Sequence, residues 1–322
     1  MGTAAPFPDD QLIARFAADL DALVGAGKTL GVAVSGGPDS LALLLLAAAA
    51  RPGRVEAATI DHSLRPGSDD EARMVAAVCK QIGVPHAILT VHWAERPSSN
   101  IQARARHERY VLLGEWAVRR RLPAIATAHH ADDQAETLLM RLARGAGLPG
   151  LVGARRRRLL EPGVELVRPL LSWRRAELRD IVAASGFTPV DDPANRDPRH
   201  DRSRFRGLLD EAEWANVDRI ASSAAWLADA DEALEWITRS LATSRIAPDG
   251  EALAIDAEGL PKELQRRLLL SAFDRLDARR PRGPELDRAM RALAAGKTAT
   301  LSGLKLSGGG KWLARHQPPR RG

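Results

Sequence analysis

The segment from Leu30 to Ala50 most constrains how this chain can fold. It begins as a short apolar run containing β-branched residues and ends as an Ala- and Leu-rich run with strong helix propensity. Gly36, Gly37 and Pro38 separate the two runs, and proline suits the first turn of a helix. The pattern predicts a strand, a tight turn and a helix. Such a turn directs backbone N–H groups and the positive end of the helix dipole at one point, so we expect an anion site there.

Alternating elements follow and precede this segment. Apolar runs predict strands at 55–60, 86–90 and 124–128, and helical periodicity predicts helices at 9–25, 69–83, 100–122, 132–144 and 172–184. This alternation is typical of the α/β class, with a doubly wound parallel sheet covered by helices on both faces. Ligands of such sheets bind beyond the carboxyl ends of the strands, where the loops at Ser35, Asp61 and His129 lie.

The pattern changes after residue 145. Residues 145–170 are rich in Gly, Pro and Arg and are predicted to form a functional loop or a hinge. We expect irregular structure at 191–205, then helices only, and finally a small β-hairpin around Gly308–Gly310. The chain should therefore form two domains, a catalytic one at 1–207 and a smaller, mostly helical C-terminal one at 208–322 with a short β-like basic tail.

Charge and cysteine content limit the possible functions. The 322 residues carry a net charge of +6, which permits a polyanionic partner such as RNA or DNA. Aromatic residues make up only 4%, which argues against a base-stacking platform. Cys79 is the only cysteine, so an intramolecular disulfide and a Cys-x-x-Cys metal site are excluded. Because neither a membrane-spanning run nor a secretory signal is recognisable, we predict a cytoplasmic protein without a membrane partner.

A second candidate site follows the strand predicted at 124–128. Asp133 and Glu136 lie three residues apart on the next helix and therefore share one face. They either complement the helix dipole or, beside the glycine-rich turn, hold Mg²⁺ or an amine. His129 and His130 precede them, but zinc is disfavoured because no third and fourth ligand occur at a convincing spacing.

Two arginine-rich segments are the remaining candidates. In the segment Asn100–Tyr110, Arg106 and Arg109 share a helical face. Such a pair either forms surface ion pairs or contacts phosphate and the RNA backbone. The second segment runs from Asp192 to Arg206 and combines Asp, Asn and several arginines.

Taken together, these motifs resemble a known family. The Ser35–Ser40 string is similar to the pyrophosphate-binding loop of the PP-loop ATP pyrophosphatases and matches neither a Walker loop nor a dinucleotide-binding loop. The order of the motifs resembles the tRNA(Ile)-lysidine synthetase family over about residues 28–208. The motifs are Ser35–Ser40, Asp61–Arg65, Asn100–Tyr110, His129–Thr137, Arg144–Gly147, Arg168–Leu171, Asp192–Asn195 and Arg204–Arg206. Longer members carry another C-terminal domain, which we do not expect here.

The resemblance implies a two-step reaction on tRNA. ATP adenylates the C2 carbonyl oxygen of the wobble cytidine in an isoleucine tRNA with a CAU anticodon. The ε-amine of free L-lysine then displaces AMP and forms lysidine. The implied substrates are ATP, L-lysine and this tRNA, with Mg²⁺ as cofactor, and the tRNA would bind residues 208–322 and the loop at Arg155–Arg158. The oligomeric state, the number of metal ions and the basis for rejecting methionine tRNA stay open.

The resemblance also implies roles for individual residues. Asp39 would hold Mg²⁺ or orient the attacking group, and Arg106 would contact the reacting nucleotide or its adenylate. Asp133 and Glu136 would bind the lysine ammonium, near which the attacking amine must lose a proton. These four residues form the implied catalytic set. The implied ATP-binding set is Ser35, Gly36, Gly37, Pro38, Asp39 and Ser40.

An arginine near the end of the resembling region would hold the lysine carboxylate through a bidentate pair. Arg202 and Arg206 are the implied candidates. The family has Arg-Asn before its last arginine, whereas this chain has Arg202 and Ser203. This departure leaves open which of Arg202, Arg204 and Arg206 inherits the role.

Other functions use a similar loop or charge. PP-loop thiolases that depend on a cysteine pair or an iron–sulfur cluster are incompatible with Cys79 alone. Ammonia-dependent ligases often need a glutaminase domain, which no segment here resembles. A non-catalytic RNA- or nucleotide-binding protein is disfavoured because it would need none of Asp39, Asp133 and Glu136.

Overall fold

The computed structural model describes residues 8–64, 68–93, 99–190 and 201–317. The chain divides into two compact units. The first runs up to Ala146 and from Gly150 to Ala225, and the second comprises Gly147–Pro149 and the chain from Trp226 onward. The domain boundary expected at residue 208 stays a prediction. In the described parts of the chain, no helix is both long and apolar enough to span a bilayer.

A six-stranded sheet forms the centre of the first unit, with the strand order β3-β2-β1-β4-β6-β5. All neighbouring strands are parallel except β5 and β6, which are antiparallel. The strands are β1 (Leu30–Ala33), β2 (Val55–Asp61), β3 (His86–Thr90), β4 (Ala124–Ala126), β5 (Arg157–Glu161) and β6 (Val164–Val167). The helices in this part of the chain are α1 (Asp10–Val24), α2 (Pro38–Ala50), α3 (Ser68–Gln81), α4 (Ile101–Arg120), α5 (Ala131–Ala143), α6 (Leu148–Leu151), α7 (Arg175–Ser185) and α8 (Asp201–Glu211).

Helices cover both faces of this sheet, which confirms the predicted α/β architecture. On one face, the leucines of α2 are buried among side chains of α1, α3 and α7. Each buried leucine stabilises the fold by about 1.5–3 kcal/mol. On the other face, Leu113 and Trp116 of α4 pack in a cluster with Ile125. Gly31 of β1 has to lack a side chain, because a Cβ there would lie 2.9 Å from the Trp116 ring.

The strand order places a crevice between β1 and β4. β1 pairs with β2 on one side and with β4 on the other. After β1 the chain continues to β2 and β3 on one side of the sheet, and after β4 it continues to β5 and β6 on the other side. Such a switch point separates the loops that follow the two strands, and ligands of open α/β sheets bind there. The loop after β1 is Ser35–Gly37, and the loop after β4 contains His129 and His130.

The second unit contains more strand than the sequence analysis predicted. Its antiparallel sheet has the strand order β7-β8-β11-β10-β9. The strands are β7 (Ile246–Asp249), β8 (Ala252–Ile255), β9 (Thr298–Leu301), β10 (Leu304–Ser307) and β11 (Trp312–His316). The helices are α10 (Lys262–Arg275) and α11 (Gly283–Ala294), and α9 (Val217–Arg245) begins in the first unit. Phe273, Leu293 and Leu306 are buried in its core.

The expectation of helices only after residue 208 was therefore wrong, since β7 and β8 join the predicted hairpin in one sheet. The four residues of β7 include Pro248, which an edge strand tolerates and which weakens a strand signal in the sequence. Pairing with β8 supplies the hydrogen bonds that make this segment a strand. Local sequence preference alone does not carry that information.

Two further expectations were wrong in the first unit. The stretch 145–170 contains β5 and β6, and β6 extends the parallel sheet beside β4. Residues from Asp201 onward form α8, although irregular structure was expected up to residue 205.

Candidate active site at the carboxyl ends of β1 and β4

The loop after β1 is closely packed around Gly36. Gly36 has φ +85°, a conformation that favours glycine because it has no Cβ. A Cβ at this position would also lie 3.0 Å from Val190 and 3.2 Å from Met74. The backbone N–H of Val190 donates to the Gly36 carbonyl oxygen at 2.9 Å. The loop conformation therefore depends on glycine and on a neighbouring backbone segment.

Two serines hold the loop to the start of α2. The Ser35 backbone N–H donates to Ser40 Oγ at 3.1 Å, and Ser40 Oγ donates to the Gly37 carbonyl oxygen at 2.9 Å. Gly37 is the N-cap residue and Pro38 occupies the first turn, as the sequence predicts. No side chain caps this helix, so its N-terminal N–H groups stay available to an anion.

His130 connects this loop to the acidic side chains that follow β4. Its Nε2 lies 3.5 Å from Asp39 Oδ2 and 3.6 Å from Asp133 Oδ2. Its Nδ1 lies 3.5 Å from Asp132 Oδ2. Asp39 and Asp133 therefore lie on the same side of the sheet, which the sequence analysis required but could not establish. Oδ1 of Asp39 is buried and has no hydrogen-bond partner.

The carboxylates around His130 keep it charged. Burial by itself lowers the pKa of His130, but the nearby carboxylates of Asp132, Asp39 and Asp133 outweigh it and raise the pKa to about 9. Burial raises the pKa of Asp132, but His130, the Arg175 N–H and Arg174 outweigh it and lower the pKa below its ordinary value. The Arg175 N–H donates to Asp132 Oδ2 at 2.8 Å, which holds α7 to the start of α5.

Glu136 is the buried centre of an arginine network. Its side chain is 1% exposed and accepts hydrogen bonds from Arg175, from Arg202 Nε at 2.7 Å and from Arg206 Nε at 2.9 Å. Burial raises the pKa of Glu136, but Arg206, Arg202 and Arg175 outweigh it and keep the pKa below its ordinary value. The ionised carboxylate thus joins α5 to α7 and α8.

Arg202 also binds the second acidic residue. Its terminal nitrogen donates to Asp133 Oδ1 at 2.6 Å, while its Nε donates to Glu136. Burial lowers the pKa of Arg202, but Asp133 and Glu136 outweigh it and raise the pKa. Asp133 and Glu136 thus share one cation. Arg204, in contrast, is exposed and reaches only Asp201, at 3.8 Å, among the described carboxylates.

A second group of arginines surrounds Tyr110, and we call it the Tyr110 cluster. Arg106 lies 5.1 Å and Arg158 4.5 Å from the centre of the Tyr110 ring. Burial raises the pKa of Tyr110, but these two arginines together with Arg168 and Arg109 lower it below its ordinary value. The members of the Tyr110 cluster are Arg106, Arg109, Tyr110, Arg158 and Arg168.

His129 lies between the two arginine groups. Burial lowers its pKa, and the charges of Arg168, Arg106 and Arg202 lower it further, to about 3. Its Nδ1 lies 3.1 Å from Thr127 Oγ1. His129 is therefore neutral near pH 7, whereas the adjacent His130 is charged.

Comparison with known proteins decides the family. A family model described as a PP-loop domain matches residues 11–212. The tRNA(Ile)-lysidine synthase of Zymomonas mobilis is 46% identical over 92% of this chain and 90% of that protein. The tRNA(Ile)-lysidine synthase of Novosphingobium aromaticivorans is 44% identical over 95% of this chain and 94% of that protein. The chain belongs to the tRNA(Ile)-lysidine synthase family. It is therefore an enzyme, a ligase that forms a C–N bond, and its PP-loop domain uses ATP.

Among solved structures, the U34-tRNA thiolase NcsA of Methanococcus maripaludis, which carries a 4Fe–4S cluster, is similar in fold. The similarity covers 67% of this chain and 78% of that chain, with a TM-score of 0.54 and 16% identity. At this level of identity the likeness concerns the fold alone. It agrees with the doubly wound α/β fold of the first unit.

The structure brings most of the predicted lysidine synthase residues together at one edge of the sheet. The loop Ser35–Ser40 and Asp133 meet at His130, and Glu136 joins Asp133 through Arg202. Arg106 lies in the Tyr110 cluster. Its positive charge contributes to the lowered pKa of His129, which follows β4 at this edge. Of the remaining candidates, the motif Asp192–Asn195 lies outside the described residues.

Sequence reasoning missed several residues of this site. It considered His130 only as a metal ligand and did not consider Asp132, Arg174 or Arg175. The run His130-Ala-Asp-Asp could have indicated the charged histidine, since three ionisable groups follow one another at a helix start. No comparable signal marks Arg175, because arginine is common throughout this chain. Within the described residues, no group of three or more His, Cys, Asp or Glu is placed to hold a metal ion.

Proposed function

We propose that this site joins L-lysine to the wobble cytidine of an isoleucine tRNA with a CAU anticodon. In the first step, the C2 carbonyl oxygen of the cytidine attacks the α-phosphorus of ATP, and pyrophosphate leaves. In the second step, the lysine ε-amine attacks C2, AMP leaves, and the amine loses a proton. The product is lysidine, and the reaction takes place in the cytoplasm, where all three substrates occur.

One observation carries this proposal. His130 lies within 3.6 Å of both Asp39, on the ATP-binding loop, and Asp133, on the acidic helix. The two candidate substrate sites therefore share one charged side chain. A reaction in which an amine attacks an adenylated base needs this proximity, because both reacting groups must meet at one carbon.

The loop Ser35–Ser40 would hold the triphosphate. Its support is the uncapped start of α2, where N–H donors and the helix dipole favour charge that develops on the α-phosphate and pyrophosphate. Asp39 would hold Mg²⁺ through its buried, unpartnered Oδ1. Magnesium commonly uses one or two carboxylates together with substrate phosphates, so a single protein ligand suits it. When bound, the ion would neutralise charge on the phosphates.

Asp133 and Glu136 would bind the lysine ammonium, and Arg202 or Arg206 would bind its carboxylate. The support is that Asp133 and Glu136 already share the guanidinium of Arg202. A lysine ammonium would replace this guanidinium at Asp133. Arg202 would then be free to form a bidentate pair with the lysine carboxylate. Glu136, which also binds Arg175, would keep the arginines in position.

The tRNA would contact both parts of the chain. Arg106 would contact the reacting nucleotide or its adenylate, since it is exposed and acts electrostatically on His129 at the site. Residues 208–322 would bind the body of the tRNA. In the second unit, Lys305 lies directly opposite Arg315 on the neighbouring strand, so two basic residues lie side by side on the sheet. Such a pair suits the phosphate backbone.

Incubation with ATP, labelled L-lysine and transcribed isoleucine tRNA, followed by nucleoside analysis, tests the proposed function. We expect labelled lysidine, with AMP and pyrophosphate in equal amounts. Asp39→Asn should lower pyrophosphate release at least about 100-fold, since a positioned charge is removed from the reacting phosphates. Asp69→Asn, an exposed residue of α3, is the control. Sulfur incorporation, or tRNA binding without turnover by the wild-type protein, would overturn the proposal.

Replacing the arginines of α8 one at a time tests the lysine site. Arg202→Ala should raise the KM for lysine at least about tenfold, because a charged hydrogen-bonding partner is lost. Arg204→Ala is the matched control, since this side chain lies on the same helix but pairs with Asp201 instead of Asp133 and Glu136. An equal effect of both substitutions on the KM for lysine would exclude Arg202 as the carboxylate ligand.

A further inference from the structure

The four arginines of the Tyr110 cluster concentrate positive charge at one place. They come from α4, from β5 and from the residue after β6. Among the described residues, no carboxylate lies within ion-pair distance of any of these four arginines. Elsewhere in the same unit, arginines such as Arg51 and Arg120 pair with carboxylates. The absence of acidic partners in the Tyr110 cluster is therefore local.

This arrangement is unfavourable without a ligand. Burial lowers the pKa of Arg168. The side chain of Tyr110 opposes this effect, but the charges of Arg158 and Arg106 add to it, and the pKa stays below its ordinary value. Arg168 is 3% exposed, and its buried Nε has no hydrogen-bond partner among the described residues. Buried charge without a counterion destabilises a protein unless a ligand supplies the opposite charge.

The Tyr110 cluster is also open on one side. Arg106 and Arg109 are exposed, Arg158 and Tyr110 are half-buried, and Arg168 is buried. One terminal nitrogen of Arg168 donates to the Arg155 carbonyl oxygen at 2.6 Å, which fixes the guanidinium at the base of the cluster. The cluster thus combines one buried guanidinium held in place by the backbone with exposed guanidinium donors that an anion in solvent can reach.

We propose that the Tyr110 cluster binds a phosphate group of the RNA backbone next to the target nucleotide. This inference rests on the proposed function, which supplies the RNA. Guanidinium groups match the geometry of phosphate oxygens, and several of them around one phosphate give strong charge-assisted hydrogen bonds. The ATP triphosphate is the other source of phosphate, but the loop Ser35–Ser40 and α2 already provide donors for it. The cluster is built on different elements, and the charges of Arg168 and Arg106 act on His129, the residue before His130.

Replacement of Arg158 tests this site. Tyr110 lies beneath Arg158 on β5, and the preceding Arg157 is exposed and points to the opposite face of the strand. We compare Arg158→Gln with Arg157→Gln as the matched control, using the full chain and transcribed isoleucine tRNA without ATP. Arg158→Gln should weaken tRNA binding about tenfold and reduce the slope of log K against log salt by about 1. Arg158→Lys, which keeps the charge, should restore most of that slope.

The outcomes separate the two sources of phosphate. An unchanged KM for ATP with weakened tRNA binding supports the RNA backbone as ligand. A raised KM for ATP with unchanged tRNA binding assigns the cluster to ATP and overturns the proposal. Equal effects of Arg158→Gln and Arg157→Gln on tRNA binding overturn it as well. If the wild-type protein binds tRNA but forms no lysidine, the proposed function fails, whereas the comparison of these variants still decides the phosphate site.

Discussion

Two arginine groups lie near the same edge of the first unit, and they differ in what faces them. In the network around Glu136, each arginine meets a carboxylate of α5. In the Tyr110 cluster, the described residues provide no carboxylate within ion-pair distance. The comparison shows that arginines whose charge is balanced by carboxylates of the protein can hold helices together without a ligand. An uncompensated group has its positive charge available to a ligand.

The adjacent residues His129 and His130 report this difference. Burial and the arginines around His129 together lower its pKa to about 3. The carboxylates around His130 outweigh its burial and raise its pKa to about 9. Because the two side chains follow one another after β4, one residue step separates an electropositive environment from an electronegative one. A change in the charge of a bound ligand on either side should therefore shift the pKa of the histidine that faces it.

The largest effect is expected from Glu136→Gln. Removing the buried charge leaves three guanidinium groups without their shared carboxylate, so the free energy of unfolding should fall by about 3–5 kcal/mol. Urea denaturation at pH 7 measures it. The control is Glu115→Gln, an exposed residue of α4 whose carboxylate lies 3.5 Å from Arg119. Its replacement should change the free energy of unfolding by less than about 0.5 kcal/mol. Similar losses in both variants would show that the Glu136 network does not hold these helices.

The pH dependence of stability should have opposite signs for the two histidines. The folded-state pKa of His130 is raised from 6.5 to about 9, so its charge adds stability below pH 6.5. This contribution, at most about 3 kcal/mol, is lost as the pH rises through about 9. The difference in unfolding free energy between wild type and His130→Gln should therefore shrink between pH 7 and pH 10.

For His129 the folded protein resists protonation, because its pKa is lowered from 6.5 to about 3. Wild type should lose stability relative to His129→Gln as the pH falls below 6.5, since the unfolded chain binds the extra proton. Urea denaturation of both variants across pH 4 to 10 checks the two signs. If the free energy of unfolding of the two variants changed with pH in the same way, the proposed difference between the two environments would be contradicted.

The smallest effect is expected from Arg158→Gln on stability. Its removal relieves repulsion within the Tyr110 cluster, so the free energy of unfolding should stay constant or rise by up to about 0.5 kcal/mol. A fall of 2 kcal/mol or more, measured by the same urea denaturation, would mean that Arg158 is a structural partner. The contrast with Glu136→Gln would then be lost.

Much of the first unit could be predicted from the sequence because its signals are local. The apolar run before Ser35, the two glycines and Pro38 specify a strand, a turn and a helix within about twenty residues. Asp133 and Glu136 could be placed on one helical face by their spacing alone. The sheet edge at which they lie follows from the alternation of strands and helices.

The segments that were mispredicted depend on partners distant in sequence. β6 is a strand because it pairs with β4, about forty residues earlier in the chain, and β8 because it pairs with β11. The role of His130 likewise depends on Asp39, which approaches only when β1 and β4 lie side by side. Most elements and the acidic and basic residue types at the ligand edge can be read from the order of residues. Which arginines meet carboxylates depends on the folded arrangement, because electrostatic energy depends on distances between side chains that the order of residues does not specify.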